Sequence, residues 1–279
     1  MMPETDSQTG VTHQETDSRP GWDDLLGDVF DLNIRASKTI WMLFKSPAEV
    51  FRAARMDDWT NKYTPSVRVF FSLVALLMLL KFIWAGEDST YRETFEMMME
   101  PIREMDPRLV SPEIIDSAMN RYWLIYPISV GVWYVFAAFL TFIWGKGTPT
   151  TSRVRLFFAG VIPSTLITIP LTLTTNLFPL SAMMMVAAVT VLIVPTIDGI
   201  TVWRGLKGVH EKAGRFWRAV LFGFITLIMT LLLSISATFI NGIWLGMDLA
   251  QQAKVLKAAD EAAAAETEEP VVPEVLPED

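Results

Sequence analysis

One acidic residue, Asp198, falls inside a long apolar segment and is the first candidate for chemistry in this sequence. A carboxylate at bilayer depth is costly, so an acid in such a segment marks a proton, ion or substrate path by default. Arg204 follows six residues later, and Asn176 ends the preceding apolar segment. Two interpretations stay open. Asp198 and Arg204 form a structural ion pair near the membrane interface, or Asp198, Arg204 and Asn176 form an intramembrane polar site.

Other residue types that could do chemistry lack partners. His210 is the only histidine besides His13, and it lies in a charged loop where we expect a surface residue. The GKGT sequence at Gly145 lacks the spaced first glycine and the preceding strand of a phosphate-binding loop. The chain has no cysteine, no paired catalytic carboxylates and no metal-ligand spacing. We therefore expect no enzyme activity, no cofactor and no metal, and the bases at segment ends do not form a nucleic-acid patch.

Basic residues are concentrated in three short segments. One precedes the first long apolar run, one lies between the second and third runs, and one lies between the fourth and fifth. Bases in such loops set which side of a membrane a loop occupies, and they can also dock anionic lipid or a partner. The candidate docking face consists of Arg52, Arg55, Lys146, Arg153, Arg155, Lys207, Lys212 and Arg215. For any one of these bases, a role in topology alone is an equally good interpretation.

The elements that must position these residues are apolar blocks longer than a soluble core needs. A bilayer core of about 30 Å takes about 20 apolar residues as a helix. Five such segments predict an all-α integral membrane protein with a bundle of five transmembrane helices. The predicted spans are about 67–85, 122–144, 154–176, 180–202 and 219–244. Pro163 and Pro170 predict a kink in span three, with nearby Ser and Thr hydroxyls as replacement partners.

The segments outside the spans differ in composition. Residues 1–33 predict a disordered acidic tail with no signal peptide, although helix is already expected from Asp23. Residues 34–66 predict amphipathic helices on the membrane surface, with a capping box at Ser46 and Glu49 that starts a helix at Pro47. These helices are either an elbow packed beneath the bundle or an interfacial anchor. Within the 67–246 membrane domain, the loop 86–121 is acidic and helical. Residues 247–279 predict an Ala/Glu/Pro-rich acidic tail that begins with a short helix.

Orientation follows from the distribution of Lys and Arg. The three basic segments alternate with the long acidic loop 86–121, which holds nine acids against four arginines. The positive-inside rule therefore places the N-terminus in the cytoplasm and the C-terminus outside.

The sequence resembles the Yip1 family of five-span membrane proteins and, more distantly, an uncharacterised bacterial multi-span group. The resemblance covers about residues 45–224 and rests on the Phe44–Phe51 element before span one, the Arg153–Pro163 start of span three, the Gly205–His210 element after span four and the five-span topology. It implies the fold. Eukaryotic members are implicated in vesicle traffic and contact prenylated small GTPases, but this N-terminus has no counterpart, so we do not extend that partner to this chain. The long acidic loop and the C-terminal tail also depart from a minimal member.

Together these features predict a non-enzymatic multi-pass protein, a scaffold or regulator, most simply in a bacterial inner membrane. The predicted partner is membrane lipid, and other membrane proteins or a second copy of the chain are further candidates. No nucleic-acid partner is predicted. The alternative is a small transporter or channel that uses kinked span three and Asp198.

Overall fold

The computed structural model describes residues 22–56, 59–84, 90–174 and 180–267. These residues are almost entirely helical, and no β-strand occurs among them. The helices are α1 (Trp22–Lys45), α2 (Pro47–Ala53), α3 (Trp59–Lys62), α4 (Ser66–Trp84), α5 (Thr90–Met105), α6 (Pro112–Leu140), α7 (Thr150–Thr174), α8 (Leu180–Gly205) and α9 (Lys212–Thr267), with a 3-10 turn at Pro107–Leu109. The predicted all-α class is confirmed.

Four of the described helices contain segments that are long and apolar enough to cross a membrane. They are Pro112–Leu140, Thr150–Thr172, Ala188–Gly205 and Lys212–Ala265. These four segments identify the chain as an integral membrane protein. Helix α4 coincides with the first predicted span, 67–85, but it is not one of the four. The fifth crossing therefore stays a prediction.

The boundaries of α6 differ from the predicted second span. The helix begins at Pro112, within the segment expected to be a loop, because proline at the first helical position loses no hydrogen bond. It ends at Leu140, where the backbone of the next residue becomes extended. Trp144 therefore lies beyond the helix, fully buried against the rings of Phe51 and Phe222.

A break at Ser46 separates α1 from α2, and the predicted helix start at Pro47 is confirmed. The hydroxyl of Ser46 donates to the Glu49 carboxylate, with Oγ and Oε1 2.9 Å apart. It makes no hydrogen bond to a backbone N–H of the cap. The backbone N–H of Glu49 donates to the Ser46 carbonyl at 3.0 Å. The capping-box residues therefore contact each other, although neither side chain caps a backbone N–H.

Helix α2 packs beneath the bundle through Phe51, which is fully buried. A Cβ at Gly205, the last residue of α8, would lie only 2.6 Å from the Phe51 ring, so glycine permits this contact. In α1, by contrast, Trp41 is 64% exposed. The packing of α2 agrees with the expected elbow, while the interfacial anchor stays a prediction for which Trp41 is an exposed candidate.

Aromatic side chains form much of the core. Phe70 of α4 stacks on Tyr134 of α6 with ring centroids 5.1 Å apart. Phe157 of α7 contacts Phe222 of α9 at 5.4 Å. Lys81, a charged residue near the end of the apolar helix α4, lies over the Trp123 ring, with Nζ 4.4 Å from the centroid. Helix α4 is therefore an integral part of the same bundle as α6, α7 and α9.

Helix α7 is continuous through Pro163 and Pro170. Its hydroxyls bond carbonyl groups one turn back, namely Ser164 to Val161 (2.9 Å), Thr165 to Val161 (2.8 Å) and Thr168 to Ser164 (2.9 Å). These acceptors are not the carbonyls of Ala159 and Leu166, which lie four residues before the two prolines. The expected replacement partners are thus used elsewhere in the helix.

Helix α9 has 56 residues, which at 1.5 Å per residue gives a length of about 84 Å. This far exceeds a bilayer core, so its C-terminal part extends past the spans. The separate helix expected from residue 248 is instead a continuation of α9, because the alanine-rich sequence there contains no proline as far as Thr267.

The extension of α9 meets the region expected to be an acidic loop, and we call this region the acidic end. Arg121 pairs with Asp248, and Arg108 Nη1 lies 3.0 Å from Asp260 Oδ1. Met99 is buried in a small cluster there, while Met97 and Met98 are exposed. The neighbouring methionines thus point in different directions, as expected for a helix.

The three basic segments meet at the opposite end, which we call the basic end. Arg204, at the end of α8, donates to the carbonyl of Lys45 at 2.9 Å. Ser66, at the start of α4, donates to the carbonyl of Arg155 in α7 at 2.6 Å. Arg218, near the start of α9, donates to a carbonyl in the loop after α6. The segments that the sequence assigned to one side of a membrane therefore lie side by side.

Candidate functional site

Asp198 is fully buried in the middle of the bundle. Ser164 of α7 and Thr226 of α9 are close enough for their hydroxyls to turn and donate to its carboxyl group. In the structure they donate elsewhere, to the carbonyls of Val161 (2.9 Å) and Gly223 (3.1 Å). These two hydroxyls are therefore shared between a backbone carbonyl and the Asp198 carboxyl group, and no cation pairs with Asp198 among the described residues. A fully buried carboxyl group with so few donors is costly, which makes this an unusual position in the bundle.

Arg204 is not the partner of Asp198, so the predicted ion pair is wrong. Six residues along an α-helix correspond to a rotation of about 600°, which places the two side chains roughly 120° apart around α8. Arg204 reaches instead to the carbonyl of Lys45. Asn176, the third residue of the predicted polar site, lies outside the described residues.

A cavity of about 130 Å³ lies beside Asp198 and shares Ser164 with it. Many of its lining side chains carry hydroxyl groups, namely Tyr126, Tyr134, Ser164, Thr165, Thr168, Thr190 and Thr230. The other lining residues are apolar, and the Ser and Thr hydroxyls donate to backbone carbonyls of their own helices, so the space is only partly polar. It is large enough for a few small molecules. We call it the hydroxyl cavity. Together with Asp198 it gives the inside of the bundle one polar region.

A second site lies at the basic end, where the α1–α2 junction meets the end of α8 and the start of α9. It is a pocket of about 360 Å³, which we call the cation pocket. Its lining includes the cationic side chains Lys45, Arg204, Lys207 and Arg215, the hydroxyl of Ser46 and the indole of Trp203, and it contains no acidic residue. Four positive charges around one concave surface attract an anion.

Two features of the cation pocket prepare it for an anion. The hydrogen bond from Arg204 to the Lys45 carbonyl holds one guanidinium in place. The Nε of Arg215 is buried and has no hydrogen-bond partner within the described part of the chain. Guanidinium groups bind phosphate oxygens in bidentate geometry, so both arginines suit a phosphate ligand.

The eight bases of the predicted docking face fall into three groups, which are two that line the cation pocket, three that are exposed outside it and three that are partly buried elsewhere. Lys207 and Arg215 line the cation pocket. Arg52, Lys146 and Lys212 are exposed outside it.

The remaining three bases are partly buried, and two of them donate to backbone carbonyls. Arg153 donates to the Thr148 carbonyl at 2.8 Å and lies over the Phe142 ring. Arg155 reaches the Met56 carbonyl at 3.4 Å, and Arg55 is partly buried. These three bases are less accessible than Arg52, Lys146 and Lys212, and the docking face itself stays a prediction.

Lys45 and Arg204 belong to the pocket but were not assigned to the docking face. Lys45 directly precedes the helix break at Ser46, and Arg204 is the last base of α8. The one feature of the sequence that could have drawn attention to these two residues is that each is a base at the end of a helix. The two residues lie 159 positions apart in the chain, so the sequence could not show that they meet.

His210 is half-buried at the basic end, next to Gly145. Burial lowers the pKa of His210, and the positive charges of Arg218 and Arg55 lower it further, whereas a hydrogen bond that the imidazole donates to the backbone of Trp144 raises it. Its Nε2 has no hydrogen-bond partner among the described residues. The histidine is thus less exposed than expected. No group of three or more potential metal ligands occurs in the described ranges.

Comparison with protein-family models, with curated proteins and with solved structures found no match for this chain. The resemblance to the Yip1 family therefore stays a hypothesis based on the sequence.

Proposed function

We propose that this chain is a non-enzymatic polytopic membrane protein of the Yip1 type that docks anionic lipid at its basic end and acts as a scaffold or regulator. In this proposal five helices cross the membrane, and the basic end faces the cytoplasm. The membrane is a bacterial inner membrane, where anionic headgroups are abundant at that surface.

The observation that carries the proposal is the cation pocket. It places four cationic side chains around about 360 Å³ with no acidic residue in its lining, although the lining residue Ser46 donates its hydroxyl to Glu49. If the bases served topology alone, exposed side chains spread over the loops would be sufficient. Convergence of bases from three separate elements instead favours a bound anion, and the headgroups of the surrounding bilayer are the nearest source.

Thermal unfolding of the full chain in a mild detergent tests the proposal. A ligand that binds only the folded protein stabilises it. We expect phosphatidylglycerol to raise the Tm more than phosphatidylcholine does, and we expect high salt to reduce the difference. Equal shifts with the two lipids would contradict lipid docking. In vivo crosslinking with mass spectrometry would then show whether a protein partner occupies the face instead.

A second candidate function, a small transporter or channel, is favoured by one specific observation. Asp198 is fully buried, with the hydroxyls of Ser164 and Thr226 within reach but no cationic partner among the described residues, beside a hydroxyl cavity of about 130 Å³. Buried carboxyl groups next to hydroxyl-lined space are suited to a proton or small cation. Measurement of proton and cation flux in proteoliposomes, with wild type and Asp198→Asn, tests it. Equal flux in the two would remove this candidate.

A further inference from the structure

An apolar groove runs along the surface of the bundle between α8 and α9. Its volume is about 510 Å³, within the range of sites for drug-sized ligands. Its walls are formed mainly by Leu192, Ile200, Trp203, Phe216, Val220 and Phe224. Several of these side chains are exposed, so the groove opens toward the surroundings of the two spans.

Two glycines form the floor of this groove. A Cβ at Gly223 would lie 2.7 Å from the Pro195 carbonyl oxygen, and one at Gly199 would lie 3.1 Å from the Ala219 carbonyl oxygen. The helix backbones therefore approach closely at these two positions, and larger side chains stand on both sides of the contact. The groove is a consequence of this close approach, because the floor has no side chains to fill it.

The groove leads to the cation pocket. Trp203 lines both cavities, and the Phe216 wall of the groove is adjacent in sequence to the pocket residue Arg215. A long apolar space thus ends at a cluster of four positive charges. This arrangement matches one class of molecule, which carries a phosphate at one end and hydrocarbon at the other.

We propose that the two cavities form one binding site for a single anionic glycerophospholipid. Its phosphate lies against Lys45, Arg204, Lys207 and Arg215, and one acyl chain lies in the groove between α8 and α9. This inference rests on the proposed function and extends it from a basic surface to a defined site with a chain-binding part. Charge complementarity and the shared Trp203 identify the occupant.

Native mass spectrometry of the full detergent-solubilised chain with phosphatidylglycerol or phosphatidylcholine measures the affinity of this site. The variant Arg204→Gln/Lys207→Gln/Arg215→Gln removes three charges from the pocket. The matched control Arg52→Gln/Lys146→Gln/Lys212→Gln removes three exposed charges outside it. We expect the first to weaken phosphatidylglycerol binding about tenfold or more and the control to change it less than about twofold. Soluble glycerol phosphate should not displace the lipid.

A bulky side chain in the groove tests the chain-binding part. Val220→Trp fills the groove from α9, and Ile235→Trp is its control, since Ile235 is exposed on the same helix outside the groove. We expect only the first to weaken phosphatidylglycerol binding, by about tenfold. Thr196→Trp fills the groove from α8 and replaces Val220→Trp if that variant does not fold.

The outcomes separate the two proposals. Selective phosphatidylglycerol binding that depends on the pocket charges but is unaffected by both groove variants would overturn the composite site and leave the proposed function. Equal binding of the two lipids would overturn both. A dimer that is disrupted by Val220→Trp and retains no lipid would show that a second copy covers the groove, and it would also overturn the inference.

Discussion

The guanidinium of Arg204 donates a hydrogen bond to the backbone carbonyl of Lys45, with Nη2 and O 2.9 Å apart. This bond joins the end of α8 to the end of α1 and places two cationic side chains on the same pocket. The Arg204 guanidinium is thus engaged away from Asp198, which lies on another side of α8 and has no cationic partner among the described residues.

Replacement of Arg204 by Gln tests the structural part of this contact. We expect Arg204→Gln to lower the free energy of unfolding by about 1 kcal/mol, because a charge-assisted hydrogen bond is lost at an exposed position. Arg52→Gln removes an equivalent exposed charge from α2 and should change stability little. Denaturation in detergent measures both. Equal effects would indicate that the Arg204–Lys45 bond contributes nothing beyond charge.

Gly223 tests the close approach of α8 and α9. A Cβ there would lie 2.7 Å from the Pro195 carbonyl oxygen, a backbone atom that cannot move alone. We expect Gly223→Ala to destabilise the protein by about 1–3 kcal/mol. Gly242, on the same helix, has open space around it, so Gly242→Ala should be neutral or slightly stabilising. Thermal unfolding compares the two variants, and equal Tm values would contradict the packing.

Substitution of Asp198 tests whether its carboxyl group forms an ion pair. Because no cation pairs with its carboxyl group in the described part of the chain, replacement by Asn should cost no ion pair. We expect Asp198→Asn to be at least as stable as the wild type when unfolding is measured in detergent, and Asp198→Lys to be destabilised by several kcal/mol. A loss of about 3 kcal/mol or more in Asp198→Asn would instead reveal a paired carboxylate.

His210 makes stability depend on pH. Burial and the charges of Arg218 and Arg55 lower its pKa in the folded protein, so the unfolded chain binds the proton more readily. Stability should therefore decrease as the pH falls below about 6.5, the ordinary value for histidine. His210→Gln should reduce this dependence between about pH 7 and pH 5. Unfolding curves across that range measure it, and identical slopes in wild type and variant would disprove the assignment.

Two ion pairs that differ in burial join the C-terminal extension of α9 to the acidic end. The side chains of Arg121 and Asp248 are 22% and 29% exposed, whereas those of Arg108 and Asp260 are 54% and 60% exposed. Exposed pairs contribute about 1 kcal/mol or less. We therefore expect Asp248→Asn to increase amide hydrogen exchange in the extension more than Asp260→Asn does. A larger effect at Asp260 would contradict this order.

Much of the fold could be predicted from local sequence. Bilayer-length apolar blocks indicated the helices, and the Ser-Pro-Ala-Glu sequence indicated the start of α2 at Pro47. The length of α9 was missed, because composition changes after Met247 while nothing in the sequence stops the helix. The six-residue spacing of Asp198 and Arg204 already argued against their pairing, since such residues do not share a helix face.

The candidate sites depended on tertiary packing and could be predicted only in part. Asp198 was identifiable as an acid within an apolar block. The hydroxyl cavity was not, because Ser164, Thr190 and Thr230 come from three different helices. The cation pocket likewise joins bases from segments that are distant in the chain. The basic loops predicted a shared side, but not which of their side chains converge.

The central claim, that anionic lipid docks at the cation pocket, is tested most directly by photo-crosslinking. Phosphatidylglycerol with a photoreactive headgroup is reconstituted with the full chain, and the labelled peptides are identified by mass spectrometry. We expect labels in the peptides that contain residues 45–48 and the pocket residues Trp203, Arg204, Lys207 and Arg215, and a loss of label in Arg204→Gln/Lys207→Gln/Arg215→Gln. Labels spread evenly over the chain, or concentrated at the acidic end near Arg108 and Asp260, would contradict the account.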